Sequence, residues 1–159
     1  MYRIGQSTDI HQLVENRKLI LGGVLINHTK GALAHSDGDA LLHAISEAIL
    51  GALGLNDLGC LFDDKDEKNK DISSMIILEK TYQIMDEKGY MINNLDSLII
   101  IEEPKMRPYI QQMKENIASV LKTDISNVNV KATCAEKLGF IGSNDGVVAQ
   151  AIVMLKKKN

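Results

Sequence analysis

Asp9 and His11 stand two positions apart near the start of the chain, in a segment, Tyr2 to His11, that reads as extended. Strand alternation puts both side chains on one face. His43 lies further on, in a stretch with helical spacing. One carboxylate and two imidazoles suit a catalytic zinc ion, with the fourth tetrahedral position left for substrate or water. The same residues also read as a surface acid with ordinary histidines, because an Asp-x-His spacing arises by chance. Asp39, His43 and Glu47 follow one helical stripe, four residues apart. A liganding histidine gives its other N–H to an acceptor, and either acid is placed to take it.

A second chemistry lies beside the first. His35-Ser36-Asp37-Gly38-Asp39 leads into the same helix. Free N–H groups and the positive dipole end of a helix attract an anion. Ser36 reads as a cap, with Asp39 closing a capping box three positions on, or as a phosphate ligand. His35 is placed to donate to a phosphoryl oxygen. The acids of Phe62-Asp63-Asp64-Lys65-Asp66 suit hydroxyl groups, a divalent ion or solvent rather than phosphate itself.

The elements that must hold these residues follow from periodicity. Leu19 to Asn27 reads as a hairpin around Gly22-Gly23. Asp37 to Leu53 reads as a helix, with Leu41, Ile45, Ala48, Ile49 and Ala52 on one face. A polar loop, Asn56 to Lys70, precedes a helix over Ile72 to Lys88 that stops at Gly89. Leu95 to Ile101 reads as a buried strand. Pro108 suits a helix first turn, and Ile110, Met113, Ile117 and Leu121 continue at helical spacing. Val128 to Ala132 and Val147 to Leu155 read as strands. The order predicts an α+β fold over residues 1–159, one small domain with helices packed on one face of a mixed sheet. The last strand is so apolar that its second face needs cover, which a subunit partner would supply.

Composition narrows the function classes. The 159 residues make one domain the simplest count, large enough to bury a core without staples. A net charge of -3 argues against a general nucleic-acid binder. No stretch reaches the roughly 20 apolar residues of a membrane span. Cys60 and Cys134 are far apart, which fits a reducing compartment, and nothing near Met1 reads as a signal peptide. These features predict a cytoplasmic protein. Only 4% of residues are aromatic, so ring stacking is not expected to carry function.

Taken in order, several motifs resemble the 2-C-methyl-D-erythritol 2,4-cyclodiphosphate synthase family. They are Asp9-Ile10-His11, Gly22-Gly23-Val24, Ala34-His35-Ser36-Asp37-Gly38-Asp39 with His43, Asp57-Leu58-Gly59, Pro104-Lys105-Met106, and Val128-Asn129-Val130-Lys131-Ala132-Thr133 continuing into Glu136-Lys137-Leu138-Gly139-Phe140. The resemblance runs essentially end to end.

It implies a homotrimer with active sites between subunits, and an enzyme that releases CMP from a diphosphocytidyl substrate as a cyclic diphosphate forms. It also implies zinc on Asp9, His11 and His43, and a second divalent ion, magnesium or manganese, on Glu136. Asp9 and His11 then also border the substrate. His35 and Ser36 contact phosphate oxygens, with His35 and Cys134 counted as catalytic. Asp57, Leu58 and Gly59 hold the erythritol hydroxyls, and Phe62, Asp63, Asp64, Lys65 and Asp66 close over that end. The cytidine pocket draws on Ile101, Glu102, Glu103, Pro104, Lys105, Met106 and Arg107, and on Thr133, Cys134, Ala135 and Glu136. Phe140 and Ser143 complete the substrate-binding set.

The chain departs from the family pattern at three places. Cys134 replaces a threonine that contacts the diphosphate in the transition state, and a thiol is a weaker donor. The loop reads Phe-Asp-Asp-Lys-Asp where members commonly show Phe-Pro-Asp-Thr-Asp. Ser143 and Gln150 stand where many members have Arg and Glu facing the trimer's central cavity, which argues against a diphosphate-lipid site there. Two other functions use the same residues: a zinc phosphohydrolase with Asp39 or Glu47 as general base, and a non-catalytic trimeric zinc protein that binds cytidine nucleotides.

Overall fold

The computed structural model describes residues 1–61 and 72–158. The segment Phe62 to Asp66, expected to close over the erythritol end, lies outside them. The chain begins with a long strand, β1 (Tyr2–Glu15), followed by β2 (Leu19–Leu21), β3 (Val24–Ile26) and β4 (Lys30–Ala32). Helix α1 (Ala40–Ala52) and the short α2 (Leu58–Leu61) come next, then α3 (Ser74–Glu87) and β5 (Tyr90–Ile100). Helix α4 (Ile110–Val120), β6 (Val128–Thr133), a single turn α5 (Gly139–Gly142) and β7 (Gly146–Lys157) complete it.

The main sheet has the order β4-β1-β7-β5-β6, and β2 pairs with β3 in a separate hairpin. Every neighbouring pair is antiparallel except β5 and β6. A parallel pair needs a crossover, and α4 supplies it. The α+β reading therefore holds, with a mixed sheet. Gly22 and Gly23 both adopt positive φ, 60° and 71°, as a two-residue hairpin turn requires.

Alternation along β1 decides what faces what. Gly5, Ser7, Asp9 and His11 point to the helix side. Tyr2, Ile4 and Ile10 point away, as does Ile152 across the pair, and all four are more than half exposed. Against the inner face, α1 buries Leu41, Leu42, Ile45 and Ile49 completely. It is sandwiched between the sheet and α3, so nearly every position on it is buried. Each of those side chains contributes about 2 kcal/mol by leaving water.

Several boundaries differ from the sequence expectation. Helix α1 starts at Ala40, after its cap Asp39, rather than at Asp37. Helix α3 starts after Ser73, whose side chain accepts from Met75 N. Strand β1 runs on to Glu15 because its end pairs with β4, a strand too short to show a period. The polar loop contains α2, and α5 was not expected. Among the described residues, no helix is long and apolar enough to cross a membrane.

Candidate metal centre

Strand β1 and helix α1 lie along each other as a ladder. Arg3 Nη1 donates to Ala52 O at 3.3 Å. Gly5 passes under Ala48 so closely that a Cβ there would stand 1.9 Å from the Ala48 carbonyl oxygen. Ser7 Oγ donates to Glu47 Oε2 at 3.1 Å. The next inward residues, Asp9 and His11, meet His43.

Asp9 Oδ2 lies 2.9 Å from His11 Nε2 and 3.4 Å from His43 Nδ1. The two imidazole rings are 5.7 Å apart and steeply inclined at 61°. One ligand atom from each residue lies within 4.8 Å of the others, the one such group of three among the described residues. Despite their approach, Asp9 Oδ2 and His11 Nε2 are buried without an aligned hydrogen-bond partner. Leaving a buried polar atom so costs about 1–3 kcal/mol. A divalent cation between the three ligand atoms removes that cost, so the residues fit a metal ion.

Electrostatics support the same reading. Burial alone would raise the Asp9 carboxyl, but the His11 and His43 imidazoles beside it outweigh burial and hold it well below the usual carboxylate range. Burial alone would lower His43, but contact with Asp9 and the charges of Asp39 and Asp37 raise it above its ordinary value. An ionised carboxylate beside two imidazoles is a donor set that suits a divalent cation.

The acids expected to orient His43 do something else. Asp39 is fully buried and caps α1 itself. Its Oδ1 accepts from Leu42 N at 3.0 Å and Gly22 N at 2.9 Å, and its Oδ2 from Gly23 N at 2.7 Å. The carboxylate thus pins the β2–β3 turn to the start of α1, and it leaves no capping box for Ser36. Burial pushes the Asp39 carboxyl up to about 6, against the pull of those N–H groups. It also occupies a helix-start donor that the sequence reading offered to an anion. Glu47 is turned to Ser7. His43 Nε2 instead meets Ser74 Oγ at 2.9 Å and Ser36 Oγ at 3.3 Å. Nothing in the sequence spacing signals that Ser74, the first residue of α3, reaches across to α1.

A cleft of about 340 Å³ opens over the three ligand residues, walled by His35, Ser36, Leu58 and Gly59. Asp57 stands beside it, with Oδ1 accepting from Cys60 N at 3.1 Å, and borders a shallower depression shared with Ser7 and Glu47. A second cleft of about 370 Å³ is lined by Ile101, Glu102, Pro104, Lys105, Met106, Arg107, Thr133 and Cys134. It brings together most of the expected cytidine pocket, but shares no lining residue with the first. Glu103, Ala135 and Glu136 do not line it. Glu102 Oε2 also accepts from Ala135 N and Lys137 N, a role the sequence did not suggest. Cys134 Sγ donates to Glu136 Oε1 at 3.2 Å. Phe140 covers Gly146, and Ser143 Oγ bonds to Asp145 Oδ2 at 2.8 Å; neither borders these two clefts.

Comparisons with known proteins agree with this geometry. The YgbB family model matches residues 2–156. A 2-C-methyl-D-erythritol 2,4-cyclodiphosphate synthase of Geobacillus sp. is 54% identical over 158 residues, covering 99% of this chain and 100% of that protein. Its counterpart in Fusobacterium nucleatum is 56% identical, covering 99% of both chains. Among solved structures, the bifunctional IspDF from Campylobacter jejuni aligns with a TM-score of 0.95 at 43% identity, over 100% of this chain. This chain spans only 43% of that bifunctional one. A CDP complex of IspF from Plasmodium falciparum aligns with a TM-score of 0.87 at 38% identity, covering 99% of this chain and 97% of that one. The fold and site are those of a small α+β enzyme with a candidate cation site of three residues. The chain belongs to the YgbB family, whose relatives here are 2-C-methyl-D-erythritol 2,4-cyclodiphosphate synthases.

Proposed function

We propose that the two clefts carry out the family's reaction. The chain is a cyclodiphosphate synthase of the non-mevalonate route to isoprenoid precursors. It converts 4-diphosphocytidyl-2-C-methyl-D-erythritol 2-phosphate to 2-C-methyl-D-erythritol 2,4-cyclodiphosphate and CMP. An oxygen of the 2-phosphate bonds to the β-phosphorus, the bond from that phosphorus to the CMP oxygen breaks, and CMP leaves with the electron pair. No water and no protein nucleophile enters the products, which makes the enzyme a phosphorus–oxygen lyase. The observation that carries this reading is the convergence of Asp9, His11 and His43 at the floor of a cleft walled by His35 and Ser36.

In such a reaction the protein positions groups and balances charge. Ser36 Oγ accepts from Gly38 N at 3.1 Å, which leaves its O–H to donate to a phosphoryl oxygen. His35, exposed on the same wall, donates to another. Asp57 and the backbone through Gly59 take the erythritol hydroxyls. The second cleft takes the cytidine, with Thr133 and Cys134 towards the diphosphate. Zinc held by Asp9, His11 and His43 would supply Lewis-acid polarisation of the β-phosphoryl group. Glu136 would hold a magnesium or manganese ion, which would supply charge neutralisation for the diphosphate.

The two clefts share no lining residue, which supports a complete site built between neighbouring subunits of a homotrimer. The apolar outer face of β1 and β7 supplies an interface of the right character. The two acids expected to serve the hydrolase alternative as general base are engaged by other groups. Asp39 is buried under three N–H donors, and Glu47 is bonded to Ser7.

Mass spectrometry of the products formed in ¹⁸O-labelled water, with zinc and magnesium present, tests the reaction. Cyclic diphosphate and unlabelled CMP are expected. Solvent oxygen in the products would establish hydrolysis, and recovery of intact substrate would establish a binding protein.

A further inference from the structure

The metal ligand His43 is held from behind by a relay that none of the expected partners provides. Ser74 is fully buried at the first position of α3. Its Oγ bonds both to His43 Nε2, at 2.9 Å, and to Asp37 Oδ1. Asp37 is anchored in turn, because its Oδ2 accepts from Ser74 N at 2.9 Å at the positive end of the 14-residue α3. The positive end of a helix attracts a negative charge.

The proton count then fixes the direction of every bond. An ionised carboxylate accepts only, so Ser74 must spend its single hydroxyl proton on Asp37. The Ser74 oxygen is left with lone pairs facing His43 Nε2. It can only accept there, so Nε2 carries the hydrogen. In a neutral imidazole Nδ1 is then the bare nitrogen. Nδ1 is the atom that faces Asp9 Oδ2 at 3.4 Å.

We infer that Asp37 and Ser74 are positioning residues for the metal centre: together they select the tautomer of His43 that presents Nδ1 to the cation, and hold its ring in the coordinating orientation. The inference rests on the reading of Asp9, His11 and His43 as a metal site. Partners of this kind change metal affinity about 10–100-fold when removed.

The test is zinc binding to the purified full chain by competition with a chromogenic chelator, together with ¹⁵N-histidine NMR of the metal-free protein above the His43 titration. Ser74→Ala is expected to weaken zinc about 10–100-fold and to lose the Nε2–H signature of His43. Asp37→Asn is expected to weaken zinc as well, and the double variant to be no worse than Ser74→Ala alone, because the two act through one hydroxyl. A purely structural role for Ser74 would lower the melting temperature while zinc affinity and tautomer stayed as in the wild type, and that result overturns the inference. Additive losses in the double variant would also overturn it, by showing two independent contacts. If the wild-type chain binds no zinc, the metal-site reading itself falls. If the wild type binds zinc and Ser74→Ala binds it equally well, only the relay falls. Cobalt(II) spectra give a check should Ser74→Ala fold poorly: in Asp37→Asn, which keeps the hydroxyl, an unchanged ligand-field spectrum and affinity would overturn the proposal.

Discussion

Glu102 and Ala135 are joined by a hydrogen bond across 33 positions of chain, from Ala135 N to Glu102 Oε2 at 3.1 Å. The same oxygen accepts from Lys137 N at 3.3 Å. Between these donors and at the second of them the backbone is left-handed, with φ of 52° at Glu136 and 62° at Lys137. Such a conformation costs on the order of 1 kcal/mol per residue without glycine, and something must hold it. The carboxylate of Glu102 does so, and thereby sets the directions of Cys134 and Glu136.

Glu102→Ala is therefore expected to release this turn and raise the magnesium or manganese concentration needed for half-maximal activity several-fold, with zinc content unchanged. Glu102→Gln keeps an acceptor oxygen and should behave nearly as wild type. A divalent-ion titration of product formation checks both. Equal behaviour of the Ala variant and the wild type would mean that the turn holds its shape without Glu102.

Gly5 is where strand and helix come closest. A methyl group there overlaps Ala48 O and stands 2.5 Å from Ala52 N, so the helix backbone itself must move. Gly5→Ala is expected to destabilise the protein by about 1–3 kcal/mol, the usual cost of overpacking. Because the same helix carries His43 and the same strand carries Asp9 and His11, zinc affinity should fall with it. Urea unfolding and a zinc titration on one preparation measure the two effects. A loss of stability with no change in zinc affinity would show that α1 yields locally near Ala48 and not at His43.

Much of this arrangement is legible in the residues. Alternation along Tyr2 to His11 puts Asp9 and His11 together, and the apolar stripe from Leu41 to Ala52 brings His43 over them. What the stripe does not give is the direction of the charged side chains on it. Asp39 and Glu47 share a face with His43, yet each is drawn to a nearer donor: Asp39 to the free N–H groups of the Gly22-Gly23 turn, Glu47 to the Ser7 hydroxyl. His43 Nε2 meets Ser36 and, at the shorter distance, Ser74, which is brought in by packing of α3 on α1, a tertiary contact with no periodic signature. The order of the main sheet is illegible for the same reason. The pairing of β7 between β1 and β5 depends on long-range closure, which local spacing does not encode.

The proposed zinc site should respond to pH with a definite sign. His43 has a raised value in the metal-free fold. Its protonated form therefore stabilises the metal-free protein fully below the unfolded value, and that contribution disappears as pH rises through the raised one. Asp9, held low, adds stability above the ordinary carboxylate range and loses it only as pH falls towards its depressed value, so it stays ionised throughout. Zinc must displace the His43 proton, and its affinity falls as pH falls. The gain in melting temperature on adding a fixed excess of zinc is thus expected to be small at pH 6 and larger at pH 8. His43→Ala should abolish most of the gain at both. Differential scanning calorimetry of zinc-loaded and chelator-treated protein checks it, and a gain that shrank with rising pH would remove His43 from the ligand set.

Cys134 donates to Glu136 Oε1 at 3.2 Å, where family resemblance places a threonine hydroxyl. A thiol is a weak donor and the reaction gives it no nucleophilic task, since the attacking oxygen belongs to the substrate. A hydroxyl at the same position would donate more strongly to the diphosphate as charge builds on it. Cys134→Thr is accordingly expected to leave KM for the diphosphocytidyl substrate within about twofold and to keep or raise kcat, by up to about fivefold if one neutral contact strengthens by roughly 1 kcal/mol. Steady-state kinetics of CMP release decide it. A loss of kcat beyond tenfold would mean that the thiol's bond to Glu136 positions the carboxylate in a way threonine cannot reproduce, and would move Cys134 from a tolerated substitution to a working part of the site.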